Sequence, residues 1–143
     1  MPEIDLCLGT NEKKDIVRIV EEYFQNGDKE EIDDVFQTRE YGDFGNVTYT
    51  EKVRAVIKVQ DGCDRFCSYC LIPYARGRVR SRNPESVVEE VKSIAEKGIK
   101  EVVMTGIHIA SYGKDFKEDY GLIDLLEKIN QIDGIERIRL RID

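Results

Sequence analysis

The chain has 143 residues, which is enough for one ordinary domain with a hydrophobic core. Its 41% hydrophobic and 36% charged residues are typical of a soluble globular protein, and no apolar stretch approaches transmembrane length. The net charge of −7 argues against nucleic-acid binding through overall charge. The first residues lack the basic start and apolar core of a signal peptide. We therefore expect a cytoplasmic protein with no membrane contact.

The N-terminal part of the chain predicts one strand and one helix. Residues 3–9 have a strand pattern, and Thr10 is placed to cap a helix that ends at Gly27. One face of this helix carries Ile16, Ile19, Val20, Tyr23 and Phe24. Cys7 stands alone in an apolar run, which predicts a buried core residue. Residues 28–51 are acidic and then rich in turn formers, as is typical of a linker.

From residue 53 onward, strand patterns alternate with helix patterns. Val53, Ala55, Ile57 and Val59 alternate into a strand that leads directly to Cys63. Residues 83–85 form a helix start, with a capping asparagine, a proline at the first position and an early acid. Residues 101–105 predict the second strand. The helix that starts at residue 83 has an apolar face of Val87, Val91, Ile94 and Ala95. A second helix follows residue 105 and carries Leu122, Leu125, Leu126 and Ile129. The third strand carries Ile138, Leu140 and Ile142.

The order of these elements predicts a parallel sheet. Strands that alternate with helices form right-handed βαβ crossovers, and reactive groups then collect at the carboxyl ends of the strands. The first strand ends at the cysteine-containing loop, and the second ends at residues 105–108. We therefore expect these two loops to lie side by side.

Three cysteines give the strongest chemical signal in the chain. Cys63, Cys67 and Cys70 follow a C-x3-C-x2-C spacing, with Tyr69 just before the last cysteine. A four-iron cluster is normally held by four thiolates, so a set of three leaves one iron without a protein ligand. An open coordination position is what separates a reactive metal site from a structural one.

Two other interpretations of the cysteines remain open at this point. His108 is the single histidine of the chain and could complete a Cys3His zinc site, although structural zinc ligands usually come in two pairs. Disulfides are the second alternative, but clustered cysteines in a reducing cytosol more often bind metal or carry out redox chemistry.

Basic residues are concentrated around the cysteines. Residues 52–82 contain eight Lys or Arg and two acids, a net of +6, so the rest of the chain carries −13. The densest part holds Arg76, Arg80 and Arg82. Guanidinium groups suit phosphates and carboxylates, so these arginines are candidates for binding a phosphate-bearing substrate or a cofactor carboxylate.

Residues 62–77 and 80–82 resemble the radical S-adenosylmethionine (SAM) methylthiotransferases. These enzymes attach a methylthio group to a tRNA base or to a ribosomal protein side chain. Residues 105–115 and 134–140 are most similar to the branch that acts on threonylcarbamoyladenosine beside the anticodon. The resemblance is in register over residues 52–140 and is fainter before them.

The resemblance implies an α/β fold, namely the first half (about three βα units) of a partial radical-SAM βα barrel after a strand–helix remnant of the N-terminal domain. Residues 1–27 would end that N-terminal domain, 28–51 would be the linker, and 52–143 would form the N-terminal half of the radical core. Family members have six barrel strands and a C-terminal RNA-binding domain. We therefore expect an internal fragment that is inactive by itself, with an unpaired edge on its last strand.

The resemblance also implies site residues. Cys63, Cys67 and Cys70 would bind a 4Fe-4S cluster whose open iron chelates SAM. Tyr69 would lie near the adenine of the cofactor, and the Thr105–Gly106 stretch would approach its methionine end. Family members carry a second 4Fe-4S cluster, whose cysteine ligands this chain lacks.

The implied function is that of a tRNA-modifying methylthiotransferase. One SAM molecule would supply the methyl group, and a second would give the 5′-deoxyadenosyl radical that abstracts hydrogen from the adenine ring. The partners would be tRNA, through the full-length enzyme, together with an electron donor and a sulfur donor of unknown identity. The alternatives are isopentenyladenosine in tRNA or a ribosomal protein as the substrate, or a non-catalytic metal-binding fragment.

Overall fold

The computed structural model describes residues 4–27, 34–38, 40–43 and 53–141. Its α-helices are α1 (Ile16–Asn26), α2 (Ile72–Arg76), α3 (Pro84–Glu96) and α4 (Leu122–Asn130). Short 3-10 helices lie at Glu12–Asp15 and Ile109–Ser111. The strands are β1 (Arg54–Asp61), β2 (Arg80–Ser81), β3 (Glu101–Gly106) and β4 (Arg137–Arg141). Within the described ranges, no helix is long and apolar enough to cross a membrane.

The four strands form one sheet in the order β2-β1-β3-β4. β1 pairs in parallel with β3, and β3 pairs in parallel with β4, which confirms the predicted βαβ arrangement. β2 was not predicted; it pairs antiparallel to the end of β1 through Gln60–Ser81 and Asp61–Arg80. The pairing of β1 with β3 runs from Arg54–Glu101 to Gln60–Gly106, with an irregularity between Lys58 and Gln60.

Alternation along β1 and β3 buries one face of the sheet under the helices. Ala55, Ile57 and Val59 belong to this core, as predicted, whereas Val53 precedes β1 and is 88% exposed. The other core side chains from β3, α3 and α4 are Val87, Val91, Ile94, Val102, Met104, Leu125 and Ile129. The predicted start of α3 is also present, because the Asn83 side chain accepts a hydrogen bond from the Ser86 amide.

The N-terminal segment differs from its prediction. Residues 4–9 form no strand beyond an isolated bridge at Leu8, and Cys7 is exposed and not buried. Thr10 does not cap α1; its hydroxyl donates to the Ala75 carbonyl, and a 3-10 turn precedes the helix. Of the predicted apolar face of α1, Ile19 is buried, whereas Ile16 and Phe24 are exposed.

The C-terminal elements match their predictions more closely. α4 buries Leu125 and Ile129, and Leu122 and Leu126 pack against the core. β4 carries the predicted Ile138 and Leu140, with Leu140 40% exposed at the edge of the sheet. Ile142, also assigned to this strand, lies outside the described residues.

Two identical substitutions on opposite faces of β1 test this packing. Val59→Ala, at a fully buried position, should lower the free energy of unfolding by about 2 kcal/mol because it leaves a cavity. Val56→Ala, at a side chain that is 52% exposed, should change it by less than about 0.5 kcal/mol. Urea unfolding followed by circular dichroism measures both. Equal losses would contradict the described orientation of β1.

Candidate metal centre

The three cysteines lie on a loop that begins where β1 ends and runs to α2. Gly62 starts the loop with φ +71°, and a side chain there would collide with the Arg78 carbonyl, so only glycine lets the backbone pass. The Cys63 amide donates to the Gly77 carbonyl at 3.1 Å, and the Cys70 amide donates to the Cys67 carbonyl at 3.0 Å. The loop is thus closed at its base by backbone contacts.

All four cysteines of the chain are free, so the disulfide interpretation is not supported. Cys63 and Cys70 are half-buried, and Cys67 is exposed. Three unpaired thiols on one loop have the donor chemistry that an iron–sulfur cluster requires. Across the described residues, no three His, Cys, Asp or Glu side chains converge closely enough to hold an ion. The donor set therefore fits the cluster in number and chemistry, although the thiols are not gathered.

The zinc alternative is not assembled either. The His108 Nδ1 atom lies 2.6 Å from the Ser111 hydroxyl, so one ring nitrogen is already hydrogen-bonded within its own turn. Because no group of three candidate ligands converges in the described part of the chain, His108 does not complete a preformed Cys3His site there.

An aromatic cluster supports the cysteine loop from outside. Phe66 adopts φ +46°, the only positive value at a non-glycine residue in the described ranges. Its ring lies 5.6 Å from the Tyr74 ring and 6.3 Å from the Phe36 ring, between centroids. Phe36 belongs to the segment assigned to a linker, so this segment packs on the loop. Aromatic pairs of this kind offset part of the strain of the backbone at Phe66.

The predicted cofactor residues lie at the same edge of the sheet as the cysteines. Tyr69 is 92% exposed beside Cys70, so its ring is accessible to a ligand. Thr105 and Gly106 end β3, and β3 is the parallel neighbour of β1. The sheet thus brings the two predicted loops together, as expected for parallel strands. The roles of these residues toward a cofactor stay predictions.

The three candidate arginines occupy different environments. The Arg76 side chain is 34% exposed and lies 3.9 Å from the Asp61 carboxylate. Arg80 is 4% exposed; its guanidinium donates to the Asn11 side chain at 2.9 Å and to the Arg76 carbonyl at 2.7 Å. Of these two, Arg76 is the one that solvent reaches.

Arg82 is buried in an ion-pair network. It is 4% exposed, donates to Glu90 and to Asp43, and lies 3.0 Å from the Ser86 hydroxyl. Burial lowers the pKa of Arg82, but its hydrogen bonds to Glu90 and Asp43 outweigh this effect and raise the pKa above its ordinary value. The guanidinium therefore stays charged and directed into the protein.

Sequence reasoning missed several residues around the loop. Tyr41 donates to the Lys58 carbonyl at 2.9 Å, and burial raises the pKa of Tyr41 to about 12. Gln60, at the end of β1, is fully buried. Alternation along β1 places Gln60 on the same face as Val56 and Lys58, so the sequence pattern did not indicate its burial. Tyr41 lies in a segment without periodicity, where no sequence pattern indicated a contact.

Comparisons with known proteins identify relatives of this chain. The family model described as the Radical SAM superfamily matches residues 57–143. The threonylcarbamoyladenosine tRNA methylthiotransferase MtaB of Aquifex aeolicus is 44% identical over 141 residues, which cover 98% of this chain and 34% of the relative. MtaB of Bacillus subtilis is 34% identical over 98% of this chain and 31% of the relative.

A second kind of relative has a different tRNA substrate in its name. The tRNA-2-methylthio-N(6)-dimethylallyladenosine synthase of Desulforamulus reducens is 38% identical over 96% of this chain and 30% of its own length. The chain thus spans about a third of the curated relatives that it matches. A solved structure of the radical SAM methyltransferase TsrM from Kitasatospora setae, with cobalamin and a [4Fe-4S] cluster bound, is 29% identical to this chain. The match covers 52% of this chain and 13% of TsrM, with a TM-score of 0.40.

Asp61, beside the cysteine loop, gives a pH-dependent prediction. Burial raises the pKa of Asp61, but the hydrogen bond and charge of Lys58, the Gly62 amide and the charge of Arg76 together lower it below the ordinary 3.8. A lowered pKa stabilises the folded state above about pH 4, and this contribution disappears as the pH falls through the folded-state pKa. Asp61→Asn should therefore lower the free energy of unfolding by about 1–2 kcal/mol at pH 7.

Urea unfolding of both proteins from pH 7 to pH 3 measures this effect. The difference between wild type and Asp61→Asn should be constant at neutral pH and shrink toward pH 3. Asp133→Asn, at an exposed position, serves as the control and should leave the wild-type curve unchanged. A difference that grows toward acid pH would contradict the assigned sign.

Proposed function

Because this chain belongs to the radical SAM superfamily, we propose that its cysteine loop holds a 4Fe-4S cluster with one open iron that binds SAM. The observation that carries this proposal is the loop itself: three free cysteines at the carboxyl end of β1, within the part that the family model matches. Such a cluster, when bound, supplies the electron that cleaves SAM to methionine and a 5′-deoxyadenosyl radical.

The residues of the chain would bind and orient the cofactor. Cys63, Cys67 and Cys70 would hold the cluster, and the exposed ring of Tyr69 offers an apolar face to the adenine. Thr105–Gly106, at the neighbouring strand end, would face the methionine end of the cofactor. The parallel pairing of β1 with β3 supports this division because it keeps the two loops adjacent.

We propose separate roles for the arginines. Arg76 is partly exposed beside the loop and would contact a phosphate or a cofactor carboxylate. Arg80 and Arg82 were also predicted to bind substrate, but both are buried against groups of the protein. Their contacts support a positioning role, in which they fix the strand that follows the cysteine loop.

For the complete protein we propose a methylthiotransferase that acts on threonylcarbamoyladenosine in tRNA. The support is the 44% and 34% identity to two relatives with this name over nearly the whole chain. The second candidate is dimethylallyladenosine in tRNA, which the similarity to the Desulforamulus relative favours. Either function implies tRNA as a partner in the cytoplasm, a second 4Fe-4S cluster outside this chain, and electron and sulfur donors.

Anaerobic reconstitution tests the cluster proposal on this chain. After loading with iron and sulfide and reduction, electron paramagnetic resonance should show a four-iron signal that changes when SAM is added. Cys67→Ala should lose the signal because it removes one of three ligands. Cys7→Ala, at an exposed cysteine outside the loop, should keep it. A wild-type signal that ignores SAM, or one that survives in Cys67→Ala, would contradict the proposal.

The substrate is tested on tRNA from cells in which the complete gene is deleted. Mass spectrometry of the hydrolysed tRNA should show loss of the 2-methylthio form of threonylcarbamoyladenosine and accumulation of the form without it. Loss of methylthio from dimethylallyladenosine alone would favour the second candidate. Unchanged tRNA with loss of methylthio from a ribosomal protein would overturn both tRNA assignments.

A further inference from the structure

Gln60 is a fully buried polar side chain between the two strand ends that frame the candidate site. It precedes Cys63 by three residues and pairs with Gly106 in the register of β1 and β3. A buried amide costs free energy unless its donors and acceptor are satisfied. Its contacts therefore show what keeps a glutamine at this position.

The amide of Gln60 joins the cysteine loop to the turn after β3. Its Nε2 atom donates to the Asp61 carbonyl and to the Gly62 carbonyl, each at 2.7 Å. Its Oε1 atom accepts a hydrogen bond from the His108 amide at 2.8 Å. A reversed amide would set an oxygen against two carbonyl oxygens, so the orientation follows from the partners.

This side chain extends the contact between the strands beyond their backbone pairing. The β1–β3 ladder becomes irregular after Lys58 and ends at the Gln60–Gly106 pair. The bond from Oε1 to the His108 amide reaches two residues further, into the turn. Gln60 thus connects Gly62, the residue before the first cysteine, with the turn after β3.

Gly106 is matched to this side chain. A Cβ atom at position 106 would lie 2.8 Å from Gln60 Oε1 and 3.0 Å from Gln60 Cβ. Any larger residue there would displace the amide from its three partners. Gly106 and Gln60 therefore pack directly against each other. A substitution at Gly106 can thus displace the amide while residue 60 stays a glutamine.

We propose that Gln60 is a positioning residue that holds the cysteine loop and the turn at residues 106–108 at a fixed separation. The proposal rests on the proposed function in one respect: a SAM molecule bound to the open iron would have to span both loops. A fixed separation would then let the amino-acid end of the cofactor meet both loops without reordering either one. Gln60 would touch neither the metal nor the cofactor.

The first test uses the cluster-free chain and hydrogen exchange at single amides. Gln60→Met keeps the approximate volume but removes all three hydrogen bonds. Exchange at the His108 amide should become at least about tenfold faster, beyond any change in global stability. The control Val59→Ala removes core packing at the residue directly before Gln60 and keeps the Gln60 amide. It should therefore accelerate exchange at the His108 amide only as far as it lowers global stability. Unchanged exchange at His108 in Gln60→Met would overturn the proposal.

Gly106→Ala provides a second route if Gln60→Met does not fold. The added methyl group should displace the amide and accelerate exchange at His108 while residue 60 stays a glutamine. An unchanged rate in this variant would equally overturn the proposal.

The second test uses the reconstituted chain. Gln60→Met should bind as much iron as wild type, because all three cysteines remain. The SAM concentration that gives half of the change in the resonance signal should rise about tenfold, whereas Val59→Ala should match wild type. An unchanged SAM titration in Gln60→Met would contradict the coupling of the loops. If wild-type protein binds no cluster, the proposed function fails, and the exchange experiment still decides the role of Gln60.

Discussion

Parallel pairing between β1 and β3 is the constraint on which the candidate site depends. Because parallel strands end at the same edge of a sheet, the cysteine loop after Asp61 and the turn after Gly106 leave it together. Ala55, Ile57 and Val102 hold the register of the two strands because their side chains pack under α3 and α4. A register slip of one residue would turn these side chains outward, so core packing and site geometry are specified by the same alternation.

Buried charges tie the surroundings of the cysteine loop together. Arg80 and Arg82 follow the loop, and their partners come from separate parts of the chain: Asn11 near the N-terminus, Asp43 before β1, and Glu90 in α3. Such pairs add little net stability, but removal of one partner is costly because it leaves a charge buried without compensation. Their value lies in fixing how these segments meet. These contacts also direct the Arg80 and Arg82 side chains into the protein and away from its surface.

The sequence allowed the periodic elements to be predicted and left the contacts between them open. Val59 and Leu125 were assigned to the core from alternation and helical spacing, and both are fully buried. Phe36 and Tyr41 lie in a segment without period, and their contacts with Phe66 and the Lys58 carbonyl depend on tertiary packing that no local pattern encodes. The same reason accounts for Cys7: an apolar neighbourhood in sequence predicts burial only where another element covers it.

The cysteine loop combines fixed ends with an exposed middle. At its ends, Gly62 packs against the Arg78 backbone and the Cys63 amide bonds to the Gly77 carbonyl. In its middle and just beyond Cys70, Tyr69 is 92% exposed and Leu71 is 73% exposed. Large apolar side chains at such exposure gain free energy when a ligand covers them, and thiols beside them are the donors that iron–sulfur clusters use. One short loop thus combines three free thiols with exposed apolar side chains, and its ends are fixed by backbone contacts.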